Sequence, residues 1–425
     1  MSARRATILS LAVRSLLNRR VTAALTVLAI AISVTLFLGV DQLRKSARTS
    51  FEATLSGTDL LVGARSGEIN LLLYAVFRLG DPTANVDWKT YREFAKRDDV
   101  AWTIPISLGD SYQGFRVVGT NHDYFTHYHY GTKQALVVAD GKIFSDLFDA
   151  VLGAEVAQSL GLAIGDEIVL SHGIAATSFS KHDDKPFRVS GILAPTGTPV
   201  DRTVHISLAG MEAIHLGWQG GVAGPVAHRY SKADVRAMDL EPKSITAFLV
   251  GMKSRVMTLR LQREINTYKK EPLSAVLPGV ALARLWEVVG AAETALSVIA
   301  GFVVVTGLIG MLTALLTSLN ERRREMALLR AVGARPVHIF ALLVMEAGVL
   351  AVAGSLLGAL VVWGGAGLAG PLIQSEFGIV MAPVLPGWRD FGILGIVVGL
   401  ALILGAIPAF LAYRRSLADG LTMTQ

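Results

Sequence analysis

The chain has 425 residues, 52% of them hydrophobic and only 17% charged, with a mean hydropathy of +0.48. That is too apolar for an ordinary soluble domain and indicates a membrane protein. It contains no cysteine, which excludes a disulfide framework and a thiolate metal site, and its net charge of +6 must be read segment by segment before a basic partner surface is inferred.

Residues 1–20 carry Arg4, Arg5, Arg14, Arg19 and Arg20 and no acid, and are expected to form an amphipathic entry helix. The apolar run that follows, 21–43, is long enough to cross a hydrocarbon core of about 30 Å. It lacks a small-residue cleavage site and reads as a retained anchor. Residues 44–290 form a long hydrophilic insertion of mixed α and β character. Stretches 58–63, 100–106, 114–119, 167–170, 187–192, 245–250 and 273–277 are short, apolar or β-branched, and bounded by Gly, Pro or Asp, as strands are. Stretches 87–96, 153–160 and 254–268 have helical spacing. The Gly-rich stretch 217–224 reads as a loop tip, and the flanks 41–55 and 282–293 continue the adjoining spans as a stalk.

Three further spans are expected at 291–319, 339–365 and 391–413, separated by a charged loop at 320–338 and a short Pro/Gly-rich connection at 366–390, with a tail at 414–425. The third span carries Glu346, an intramembrane acid for which a structural or gating role near the membrane boundary is favoured over a proton relay. Gly354 and Gly358, and Gly395 and Gly399, have the GxxxG spacing that lets helices approach closely, within one chain or across a dimer. The predicted fold class is an α-helical membrane protein with four transmembrane helices and a mixed α/β extracytoplasmic domain inserted between the first and second.

Lys/Arg bias places both termini and the 320–338 loop in the cytoplasm. The loop has five arginines against Glu321 and Glu325, the tail two against Asp419, and the N-terminus five unopposed, so these pieces are more basic than the whole chain and the rest is net negative. The basic character follows from topology, and no nucleic-acid partner is expected. From Glu321 the loop favours helix up to Gly333, a C-terminal stop, and Pro336 suits the first turn of the next helix. Met326, Leu329 and Val332, with Leu328 beside them, form an apolar stripe that cannot be buried in water. Ala327, Ala331 and Ala334 permit close approach, so a docking partner is expected there.

The stretch EMALLRAVGA at 325–334 resembles the signature of the FtsX-like permease domain, shared by MacB-type and lipoprotein-releasing ABC transporter permeases of the type VII superfamily. The likeness continues in MEAGVLAVAGSLLG at 345–358, in LAVRSLLNRRVTAALTVLAI near the N-terminus, and, for the MacB-type external domain, in GAEVAQSLGLAIGDEIVL at 153–170 and FRVSGIL at 187–193. It is weakest over 195–240 and in the last ten residues. The resemblance implies a permease subunit of the bacterial inner membrane with a large periplasmic domain. It would dimerise, as a homodimer in preference to a heterodimer, and be driven by a cytoplasmic ABC ATPase, with a periplasmic adaptor as a further partner. Glu325, Met326, Leu328, Leu329, Arg330, Ala331, Gly333 and Ala334 are the expected ATPase-coupling residues.

No G-x-x-x-x-G-K-[ST] is present, since Gly141-Lys142 is followed by Ile143, and no nucleophile, base and orienting group form a set. The chain is therefore expected not to be an enzyme and to hold no cofactor, with ATP and Mg bound by the partner. The expected task is to transmit ATP-driven motion to the periplasmic domain, acting in efflux or in lipoprotein or lipid release. One alternative is an FtsX-like regulator of an envelope hydrolase. A second is a periplasmic zinc- or copper-handling complex, motivated by the histidines of NHDYFTHYHY at 121–130. A strand there would put His127 and His129 on one face, with His122 returning from a turn. Their spacing matches no closed zinc signature, so they stand as candidate ligands without an assigned site.

Overall fold

The computed structural model describes residues 10, 12–173, 182–219, 222–223, 230–321, 323–377 and 386–421. Most of the entry segment before residue 10, the centre of the connection at 378–385, part of the Gly-rich stretch 217–224 and the last four residues lie outside them. Two compact units emerge, one of long apolar helices and one formed by the described residues of 47–289 together with 373–377.

Among the described residues, four helices are long and apolar enough to cross a membrane: Arg20–Ala53, Pro278–Leu319, Pro336–Gly365 and Trp388–Arg414. All four expected spans are thus present. The first helix has 34 residues and the second, Pro278–Glu321, has 44. At 1.5 Å per residue these are about 51 and 66 Å long, well beyond a bilayer core of about 30 Å, so each continues unbroken into the stalk segments expected from sequence. The third helix overshoots its expected end at 365, running from Pro336 to Phe377 and taking in part of the stretch read as a loop. Glycines punctuate helices in water, but in apolar spans they are common and tolerated, so Gly364, Gly365, Gly367 and Gly370 did not mark a stop.

The first helix organises the bundle. Ile30, Val34 and Leu38 are buried with Leu308, Met311 and Leu315 of the second helix, Leu350 and Ala351 of the third, and Val397 and Ala401 of the fourth. Ser33 Oγ donates to Ala29 O at 2.8 Å and to Val303 O at 3.1 Å, while a Cβ built on Gly307 would lie 2.7 Å from that hydroxyl. A Cβ on Gly354 would lie 2.7 Å from Ile30 Cβ, and one on Gly358 would lie 2.6 Å from the Ala31 carbonyl. The pair at 354 and 358 therefore seats the third helix on the first within one chain. Built Cβ atoms on Gly395 and Gly399 meet nothing within 4 Å, so that pair makes no such contact.

The inserted unit is an α/β domain built on one mixed sheet. Its main path runs Leu273–Val276, Leu60–Ala64, Ala247–Met252, Val100–Tyr112, Phe115–Thr120, Thr203–Ser207, Asp149–Leu152, Phe187–Leu193, Val138–Gly141. Only the Phe115–Thr120/Thr203–Ser207 and Asp149–Leu152/Phe187–Leu193 neighbours are parallel along this path. Because side chains alternate across a strand, both faces are covered. Leu61 and Leu249 join a core with Leu71, Leu72 and Tyr74 of helix Glu68–Ala75, whereas Leu60, Val62, Phe248 and Val250 join one with Tyr91 and Phe94 of Trp88–Ala95 and Leu261 and Ile265 of Thr258–Asn266. A third core holds Val117, Val204, Ile206, Phe187 and Val189 against Val156 of Ala154–Leu160 and Met211 and Ile214 of Leu208–His215.

Candidate functional site

Between the second and third long helices lies a short helix, Arg323–Ala331, which ends by a backbone device visible atom by atom. Gly333 adopts φ +97°, its N–H donates to Arg330 O at 2.9 Å, and the N–H of Ala334 reaches back to Leu329 O at 2.9 Å. This 5→2 and 6→1 pairing is the Schellman arrangement, and its left-handed position is why glycine stands at 333. The chain then turns through Arg335, whose N–H donates to His338 Nδ1 at 3.1 Å, into the helix begun by Pro336.

The short helix splits its apolar residues between two faces. Met326 packs inward against Leu319, Ile339 and Leu343 of the neighbouring helices. Its side chain is half-buried there, like that of Leu329, so the fully outward part of the expected docking stripe falls to its neighbours. Leu328 and Val332 point outward, 66% and 86% exposed, with Glu325, Ala327, Ala331 and Gly333 also exposed. Leu329, Arg330 and Ala334 are half-buried. Such exposed apolar side chains on one helix face, rimmed by charges, have the character of an interaction patch.

Glu346 is 2% exposed on the third helix and lines a small crevice with Arg19, Thr22, Thr26 and Ser318. Arg19 Nη1 donates to Ser318 O at 3.2 Å at this level. The acid thus faces a polar corner of the bundle.

The histidines singled out by sequence clustering do not converge. His122–His127 forms a helix, not a strand, since Asn121 at the N-cap position and Asp123 in the first turn are helix-start signals. His122 Nε2 lies 3.0 Å from Phe144 O, the His127 ring stacks on Trp102, and His129 Nδ1 lies 2.7 Å from His127 O. A different set does converge: ligand atoms of Asp110, His172, His182 and His215 all lie within 4.8 Å of one another. Asp110 and His172 are paired across adjacent strands, His182 closes back through its N–H to Leu170 O at 2.9 Å, and His215 ends helix Leu208–His215. Burial alone would raise the Asp110 carboxyl, but the three imidazoles outweigh it and hold it below the usual carboxylate range. Burial likewise opposes charge on His215, and Asp110 more than offsets it, raising the imidazole. In the sequence only one member of this cluster stands among polar neighbours, His182 within KHDD at 181–184. The cross-strand register that completes it joins residues 62 positions apart and leaves no local spacing to read.

Among the described residues, four membrane-length helices, a short helix between the second and third, and an α/β domain inserted between the first and second define the architecture of a multi-pass membrane protein. Residues 23–245 match the family model of the MacB-like periplasmic core domain, and residues 297–417 that of the FtsX-like permease C-terminal domain. The chain belongs to the MacB/FtsX-like permease family, a component of ABC transporters that work with a cytoplasmic ATPase. Similar solved structures include the periplasmic region of MacB from Actinobacillus actinomycetemcomitans, at 9% identity over 55% of this chain and 94% of that one, with a TM-score of 0.33. Another is the extracellular domain of the noncanonic ABC-type transporter YknZ from Gram-positive bacteria, at 15% identity over 52% and 99%, with a TM-score of 0.31. No curated protein matched the chain.

Proposed function

We propose that this chain is a mechanical transmitter: a dimerising permease subunit of the inner membrane that passes the closure of a separate cytoplasmic ATPase to its inserted domain in the periplasm. The ATPase docks on the short helix, through Leu328, Ala331 and Val332 with Glu325 and Arg330 at the rim, while Leu329, Gly333 and Ala334 shape the helix end. The observation that carries this reading is the unbroken continuation of the first and second helices past membrane length. A helix is stiff over such lengths, whereas a flexible linker would absorb the stroke. The inserted domain then acts on periplasmic or membrane-embedded cargo, in efflux or lipoprotein release.

Exchanging the rim charges tests the docking assignment. The double variant Glu325→Lys/Arg330→Glu keeps the net charge but inverts the pattern seen by the ATPase, and is expected to lower its stimulated ATP hydrolysis at least tenfold in membranes co-expressing both subunits. Unchanged association and unchanged stimulation would remove these residues from the interface.

A further inference from the structure

We propose that Asp110, His172, His182 and His215 form a binding site for one borderline divalent transition-metal ion, of which Zn²⁺ is the type. The inference rests on the inserted domain alone and is independent of the transmission reading.

The first support is an imbalance of lone pairs. Asp110 is fully buried, and among the described residues neither of its carboxylate oxygens has a partner within hydrogen-bonding geometry, the imidazoles standing 3.3–3.5 Å away. His182 is also fully buried, and among the described residues neither of its ring nitrogens has a hydrogen-bond partner, its Nε2 having only the long 3.5 Å contact to Asp110. Buried polar groups left in this condition are costly, and such groups in folded proteins are normally satisfied by protein, water or an ion. His215 Nδ1 lies 2.8 Å from Met211 O. A carbonyl can only accept, so Nδ1 carries a proton, and it is Nε2 that faces Asp110 and His172, free to offer its lone pair to an ion once its own proton is displaced. A metal-ligating histidine typically holds its other N–H on a backbone carbonyl in this way, which fixes tautomer and ring orientation.

The second support is spacing. His172 Nδ1 is 3.3 Å from Asp110 Oδ1, His182 Nε2 is 3.5 Å from the same oxygen, and His215 Nε2 is 3.3 Å from Oδ2 and 3.3 Å from His172 Nδ1. These gaps are longer than good charge-assisted hydrogen bonds, which run at about 2.7–2.9 Å. They lie close to the edge of a tetrahedron, about 3.3–3.4 Å, around an ion with bonds of about 2.0–2.1 Å to nitrogen and oxygen, and one ligand atom from each of the four residues lies within 4.8 Å of the others.

Donor chemistry selects the ion. Three imidazoles and one carboxylate suit Zn²⁺ or Cu²⁺, while Mg²⁺ and Ca²⁺ demand oxygen shells. Four protein donors fill a tetrahedral set and leave no position for a reacting water, so the site holds an ion instead of activating one. His172 and His215 retain 34% and 26% side-chain exposure, giving the ion a route from solvent, while Asp110 and His182 form the buried floor.

Titration of the full-length chain in detergent, stripped with chelator, with zinc chloride in a calorimeter is the test. One ion per chain with a sub-micromolar Kd is expected, no heat with magnesium or calcium, and at least a 100-fold weaker Kd in the His172→Ala/His215→Ala variant. Both of these residues are partly exposed, so unchanged thermal unfolding of the metal-free variant would show that it folds. Cobalt substitution should give the visible spectrum of a tetrahedral nitrogen/oxygen site, lost in the variant. His129→Ala should bind like the parent chain. Absence of zinc binding at tens of micromolar, or stoichiometric binding undiminished in the folded double variant, would overturn the proposal, and either result would leave ATPase coupling untouched.

Discussion

Replacing Leu328 and Val332 together with aspartate is expected to abolish stable association with the ATPase while leaving the chain folded. These two side chains are 66% and 86% exposed, so the bundle loses almost no packing when they change. At an interface they would occupy the opposite situation, buried centrally against the partner, where a single anchor contributes about 2 kcal/mol or more. Two uncompensated carboxylates there should therefore weaken binding by at least roughly 30-fold for each lost anchor. Co-purification of tagged chain with its ATPase, read beside the thermal unfolding of the chain alone, checks both halves. Met326→Asp is a useful contrast, because Met326 packs against Leu319 and Ile339, and a charge there should damage the bundle itself.

The second large effect concerns the small-residue seam between the first and third helices. Gly358→Ala places a methyl 2.6 Å from Ala31 O and 2.9 Å from Val34 Cβ, both closer than real β carbons come, and neither neighbour is a flexible side-chain end. The helices must separate, a cost of about 1–3 kcal/mol by analogy with overpacked cores. Gly354→Ala meets Ile30 and Val27 similarly. Gly395→Ala and Gly399→Ala add methyls into open space and are expected to change unfolding of the detergent-solubilised monomer by less than about 0.5 kcal/mol. Equal losses at both pairs would refute this division.

The membrane half was legible because its signals are local: twenty apolar residues, an arginine-rich flank, a glycine followed by proline. Residues 325–334 could be placed on a short helix ending at Gly333 before any contact was known, and the Schellman bonds at Ala334 are what that pattern predicts. The sequence could not show which face of the helix the bundle would claim, and Met326 was drawn inward by partners on the second and third long helices. Strand stretches such as 187–192 and 245–250 were readable from β-branched runs, but not the order that places Thr203–Ser207 between Phe115–Thr120 and Asp149–Leu152. The histidines illustrate the limit most clearly. Proximity in sequence drew attention to His122, His127 and His129, whereas convergence required strand pairing of residue 110 with 172 and the end of a helix at 215.

Transmission of motion from ATPase to the inserted domain is the central proposal, and the absence of native cysteine makes it directly measurable. A single spin label at Lys253→Cys, an exposed position of the inserted domain, would report the distance between the two copies in a reconstituted complex with the ATPase. The distance distribution is predicted to shift on adding Mg-ATP with vanadate, and to stay unshifted when Leu328 and Val332 are aspartate. An identical distribution with and without trapped nucleotide, in a complex that hydrolyses ATP, would contradict the account.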